Sequence, residues 1–169
     1  MSIYEIITVT ISAIALALSL YAAISAYYEK HLKAKIYALW FFYFNKQLNV
    51  NFIFSNMSSR PKTITKIWIK YDDKVAESTW YHAKLSDKNI NGKMFYSFSD
   101  MVPVNIPSRS SCQAIISFTY LKDFPSPMPE KLTFVFQIDG SKVEKTFNTT
   151  KQLTIDEQVI AAEYKLMPF

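Results

Sequence analysis

LNVNFIFSNMSSRPKTITKIWIKY, residues 48–71, holds two apolar segments around a polar turn, and its reading decides the fold class. In the first segment Leu48, Val50, Phe52 and Phe54 alternate with Asn49, Asn51 and Ile53, which predicts a strand with one buried face. Pro61 ends that strand's turn and sets up the next strand. In the second segment Ile64, Ile67 and Ile69 do not share one parity, so a bulge or a change of face is expected near Thr65 and Lys66.

The same extended texture continues on both sides. Residues 36–44 (IYALWFFYF) are aromatic and β-branched, and their last five positions are all aromatic. One sheet face cannot bury five consecutive rings. Both faces are therefore expected to be covered, by the other sheet and by the junction with the preceding helix; the alternative is one face resting on lipid headgroups or on a partner. Downstream, 78–85 and 93–98 read as short strands and 87–92 (DKNING) as a turn-rich loop. Pro103 and Pro107 flank a brief extended piece, 114–120 reads as a buried strand, and 124–129, with three prolines, as a loop. Residues 132–138 and 143–147 around Asp139-Gly140 form a hairpin. Six to eight strands over about 120 residues predict a mainly β fold, an antiparallel immunoglobulin-like β-sandwich, with a small barrel as the second choice. The tail 155–169 reads as a short amphipathic helix or a loose extension.

Upstream the chemistry changes. Residues 6–28 contain no charge, no Pro and no Gly, long enough for one transmembrane helix. Tyr4 lies at one end and Tyr27 and Tyr28 at the other, where amphipathic rings prefer the headgroup level. A cleavable signal peptide would want a basic start and a shorter apolar core, and Met-Ser-Ile-Tyr-Glu supplies no Lys or Arg. Lys30, His31, Lys33 and Lys35 follow the helix. The positive-inside rule then expects the N-terminus outside and the C-terminal domain in the cytoplasm, so a single-pass protein of the cell inner membrane. The lone Cys112 agrees, since exported domains of this size often carry disulfide pairs. The expected organisation is a helix over 1–28, a basic junction over 29–35, the sandwich over 36–154 and the tail over 155–169.

One N-terminal helix, a basic junction and a strand running through FSNMSSRPKTITKI (54–67) resemble a recurrent layout of small bacterial membrane proteins. In that layout a turn of the type Asn-x-Ser-x-Arg-Pro joins two strands of an immunoglobulin-like domain, and VPVNIPSRSS (102–111) before a strand is similar to it too. The resemblance implies a fold and no activity.

Candidate chemistry is sparse. His31 lies in the basic junction and His82 has no visible partner. Cys112 precedes an apolar strand and reads as a small core residue. No Cys or His pair has metal-ligand spacing, and two glycines cannot build a phosphate loop. Asp72-Asp73 and Asp156-Glu157 read as a turn and a helix start. Asn56-Met-Ser58 and Asn148-Thr-Thr150 match the glycosylation sequon, which carries no meaning in a bacterial cytoplasm. Arg60, Lys62, Lys66 and Lys70 read as a solvated face. All 19 basic residues follow position 28, leaving 29–169 with a modest positive excess that is scattered except for Lys30, Lys33 and Lys35, so nucleic acid is not an expected partner. No enzyme activity and no cofactor are expected.

The helix has its own pattern. Glu5, Thr8, Ser12, Ala15, Ser19, Ala22 and Ala26 recur at steps of three and four, uninterrupted by Ile, Leu or Val. In lipid such small residues mark faces where helices approach closely, so Thr8, Ser12, Ala15, Ser19, Ala22 and Ala26 are the expected helix–helix interface of a homo-oligomer. Glu5 would line an oligomer's mouth or sit among headgroups. Two functions fit: a membrane-anchored module whose cytoplasmic sandwich binds a protein partner, or a self-assembling membrane effector of stress or phage-defence type that alters permeability.

Overall fold

The computed structural model describes residues 2–161 and 166–168; the side chains of 29–31, 90 and 166–168 lie outside that description. Helix α1 (Ile3–His31) comes first. It starts at a capping box, in which Ser2 Oγ accepts from Glu5 N and Ser2 N donates to Glu5 Oε2 (2.8 Å). Thr8 and Thr10 donate their hydroxyls to the carbonyls of Tyr4 and Ile6, which satisfies them within the helix.

Among the described residues after 34, every strand-to-strand pairing is antiparallel and one short helix joins the strands. The strands are β1 (Lys35–Phe44), β2 (Gln47–Asn56), β3 (Lys62–Tyr71), β4 (Lys74–Glu77), β5 (Lys84–Ile90), β6 (Lys93–Phe98), β7 (Val104–Ile106), β8 (Ser110–Phe118), β9 (Lys131–Ile138), β10 (Ser141–Asn148) and β11 (Leu166–Pro168), with α2 (Ile155–Ala161) between the last two. They form three open sheets. The first runs β1-β2-β8. The second runs β10-β9-β3-β4, with β7 beside the start of β3, and the third runs β11-β6-β5.

The first two sheets share one hydrophobic core. Val50, Phe52, Phe54, Ile116 and Phe118 meet Ile64, Ile67, Ile69, Phe134 and Phe136, all essentially buried. Phe52 is its centre: its ring lies 5.3 Å from that of Phe134 and 5.4 Å from that of Phe136, both edge-on.

Sheet register decides which side chains reach that core. The shift between Ile64 and Lys66 is the bulge expected from the mixed parity of the β3 isoleucines. A second shift, between Ala38 and Trp40, bulges Leu39 out of β1. Ile36 and Ala38 face the core before it, and Phe41 and Tyr43 after it, while Trp40 and Phe42 turn to the opposite face. There a second cluster buries them with Ile115 and Leu85, packed by Leu153 and Ala161. So both faces of β1 are covered, but by β5 and α2 rather than by the helix junction. Phe44, the last of the five rings, is exposed.

The same cover corrects the reading of β2. Asn49 and Asn51, expected on an open face, are each 1% exposed. Asn49 Oδ1 accepts from Ser117 Oγ (2.7 Å) and Gln47 Nε2 (2.9 Å), and its Nδ2 donates to Gln158 Oε1 (3.2 Å). Gln158 in turn donates to the Leu85 carbonyl, so one polar network locks α2 and β5 onto the sheet. Helix α2 starts at Thr154, whose N and Oγ1 both donate to Glu157 Oε2; these bonds hold the Glu157 carboxyl below its ordinary range. The segment 87–92 is also corrected. Only Asn91-Gly92 turns, both at positive φ, and the residues before it are drawn into β5 by pairing with β6.

Phe52→Ala should lower stability by about 3–5 kcal/mol, because four aromatic neighbours cannot close over the void. Urea unfolding of the full chain in detergent, followed by tryptophan fluorescence, is the check; a loss below about 1 kcal/mol would remove Phe52 from the centre of the core.

Candidate functional site

The stripe on α1 is continuous in the folded helix. At about 100° per residue, Thr8, Ser12, Ala15, Ser19, Ala22 and Ala26 fall in a sector roughly 80° wide that no Ile, Leu or Val enters. Between Ile3 and Tyr28 none of the span's most apolar window is buried. Tyr4, Tyr27, Tyr28, Lys33 and Lys35 are exposed at the two ends, and the Tyr27 and Tyr28 rings meet edge-on at 6.3 Å. The side chains of Lys30 and His31 lie outside the described residues. From Tyr4 to Tyr27 the helix rises about 35 Å, enough to cross the hydrocarbon core of a bilayer. Glu5 at the end of the stripe is engaged in the cap.

At the end of the β region next to α1, the two short motifs from the sequence form one joint. Asn56 is fully buried, and its Nδ2 faces the carbonyls of Arg60 (2.7 Å), Pro107 (3.1 Å) and Ile106 (3.3 Å). Its Oδ1 accepts from Ser58 N and Ser58 Oγ, and Arg109 N donates to the Ser58 carbonyl. One asparagine thus pins loop 57–60 to loop 107–109. The side chain of this sequon asparagine is consumed by structure.

The opposite end carries exposed rings. Trp80 is 85% exposed, Tyr120 80% and Phe44 58%. Phe44 borders the β1–β2 turn, and Lys46 in that turn accepts from Leu121 N. Thr79 N donates to the Ser117 carbonyl and Tyr81 Oη lies 3.0 Å from Thr119 Oγ1, which brings Trp80 to the same end. Neither core cluster includes these three rings.

Two surface depressions hold the remaining candidate chemistry. His82, Asp100 and Cys112, far apart in sequence, line one of about 360 Å³. His82 Nδ1 lies 2.7 Å from the Ser99 carbonyl, and Asp100 Oδ2 accepts from Ile115 N (2.7 Å), so both side chains hold backbone. Burial, helped by the Asp100 charge, pushes the Cys112 thiol up, which keeps it protonated and poorly nucleophilic. The other depression, about 450 Å³, lies on the outer face of the second sheet and is lined by Trp68, Lys70, Val75, Val135, Lys142 and Glu144. In its lining Lys70 pairs with Glu144 (2.5 Å) and Lys142 lies over the Trp68 ring (5.1 Å), while beside it Lys66 pairs with Glu77 (3.4 Å) and Trp68 Nε1 donates to Glu77. Lys66 and Lys70 are solvated as expected from the sequence, whereas the Lys62 side chain is only 15% exposed and pairs with Asp139. Among the described residues no three His, Cys, Asp or Glu side chains gather to hold a metal ion.

The edge strand β10 is guarded. Lys145 shares the parity of the half-buried Val143 and Phe147 but is itself exposed, so it sets a charge in the middle of the edge that opposes pairing by another strand.

No family profile and no curated protein matches the chain. Two solved structures overlap it, both of a GH20 exo-β-N-acetylglucosaminidase from Vibrio harveyi, one with N-acetylglucosamine and one an inactive mutant. Each is 10% identical, covers 72% of this chain and has a TM-score of 0.25. The chain spans only 18% of the length of those enzymes, and overlap at that score carries no information on fold or activity.

Asn56→Ala should cost about 2–3 kcal/mol and loosen both loops, because it strips three carbonyls of their donor. Hydrogen exchange should accelerate at 57–60 and 107–109 with little change in β9; unchanged exchange there would deny the joint. Alkylation of Cys112 by iodoacetamide at pH 8 should run slower than that of a free thiol and accelerate as pH rises, because the raised thiol pKa leaves less thiolate at that pH. A rate matching the free thiol would show an accessible thiolate.

Proposed function

We propose that the chain is a single-pass, non-enzymatic membrane-anchored interaction module. Helix α1 crosses the cell inner membrane, and the β region stands in the cytoplasm as an immunoglobulin-like sandwich that binds a protein partner. The observation that carries this reading is the exposed Trp80, Tyr120 and Phe44 end, one β1 length, about 30 Å, from the anchor. Large rings left uncovered at one pole of a domain, away from any lipid interface, suit a protein partner, since Trp and Tyr supply much of the energy of such contacts. The basic residues Lys33 and Lys35 support the orientation. The two core-sharing antiparallel sheets support the sandwich.

The small-residue stripe favours the second reading, a membrane effector that self-assembles through α1 and alters permeability. Site-specific photo-crosslinking of the full chain in native membranes separates the two. For the module, a probe beside Trp80 gives a discrete adduct that W80A/Y120A removes and S19L/A22L leaves intact. For the effector, S19L/A22L removes a homo-oligomer trapped from the helix, together with any permeability change. If neither double substitution alters the adducts, both readings fail.

A further inference from the structure

The net positive charge of the β region is concentrated at its anchor end. Segments 32–36, 55–62 and 107–111 contain five basic side chains and no acidic one. The register puts them together: Lys35 pairs with Ser55, Ser55 pairs with Ser111, and the loops beyond those residues are the two that Asn56 clamps. The nearby acid is Asp139, which is taken by Lys62 and by the Thr63 amide. Lys33, Lys35, Arg60 and Arg109 are exposed around Met57, an apolar side chain 55% open to solvent.

We infer that this end face, with Met57 at its centre, rests on an anionic lipid surface. The inference depends on α1 spanning the bilayer. Only residues 32–34 separate α1 from β1, which holds the clamped loops within reach of the headgroups. Each Lys or Arg close to an anionic leaflet contributes about 1 kcal/mol, and an exposed Met adds a short apolar wedge at the interface. The Asn56 clamp makes the surface rigid, so docking would set the tilt of the domain and hold the ring-bearing end outward. A balanced face would leave the domain swinging on its junction. The alternative occupant, an acidic protein, would bind without regard to lipid charge.

Full-length protein with C112A and a fluorophore on Ser59→Cys, reconstituted in vesicles carrying a headgroup-level quencher, tests this. Quenching should be about threefold or more stronger in phosphatidylcholine containing phosphatidylglycerol than in phosphatidylcholine alone. A fluorophore on Tyr120→Cys should stay unquenched in both. K35E/R60E should abolish the lipid dependence and K35R/R60K should preserve it. Equal quenching in the two lipids, or no effect of K35E/R60E, overturns the docking while leaving the anchor standing. Failure of the chain to float with vesicles overturns the anchor and the docking together.

Discussion

The structure depends on a bulge at Leu39. A strand with period two can present only alternate residues to one side, yet residues 40–44 are all aromatic. By slipping one residue, β1 keeps Phe41 and Tyr43 in line with Ile36 and Ala38 and sends Trp40 and Phe42 to the other side. The first sheet then has two apolar faces, and neither can be left to water. The second sheet covers one face. The other is covered by β5 and by residues 151–161, which also close the edge of β1 through Phe41 N to the Lys151 carbonyl and Leu153 N to the Phe41 carbonyl. Residues 151–161 are therefore part of the domain's packing.

That arrangement explains what could be read from the sequence. The bulge in β3 was legible because three isoleucines broke parity against polar neighbours. The bulge in β1 was not, since a continuous apolar run has no parity to break. Asn49 and Asn51 read as solvent-facing because alternation of polar and apolar residues ordinarily means one wet face. Asn49 is bonded by Gln158, 109 residues away, and a network of that span leaves no local trace. The turn formers of DKNING were legible as a group, but only Asn91-Gly92 meets the positive-φ demand of a two-residue hairpin. Strand pairing overrode the rest.

The functional surfaces divide along the same line. The apolar span and its small-residue stripe belong to one helix, so their period is visible directly. The Asn56 joint was half visible: both motifs stood out, but the single amide that serves both loops is a tertiary fact. The meeting of His82, Asp100 and Cys112 had no local signal, and the geometry gives them backbone-holding and packing roles.

The two ends of the β region differ in a way that packing alone does not require. Strand β1 leads directly away from α1 over about 30 Å, so position along it measures distance from the helix. Tyr37 is an exposed ring near its start, whereas the three most concentrated together, Phe44, Trp80 and Tyr120, lie at its end. Lysines serving only solubility would be spread and paired, as Lys66 and Lys70 are on the second sheet. Instead Lys33, Lys35 and Arg60 crowd the start with no carboxylate in their own segments. With α1 in a bilayer, the headgroup charge would meet the basic end, and the aqueous phase would meet the aromatic one. A rigid joint at Asn56 makes that polarity a property of the whole domain, because a clamped end face cannot tilt without carrying the far end with it.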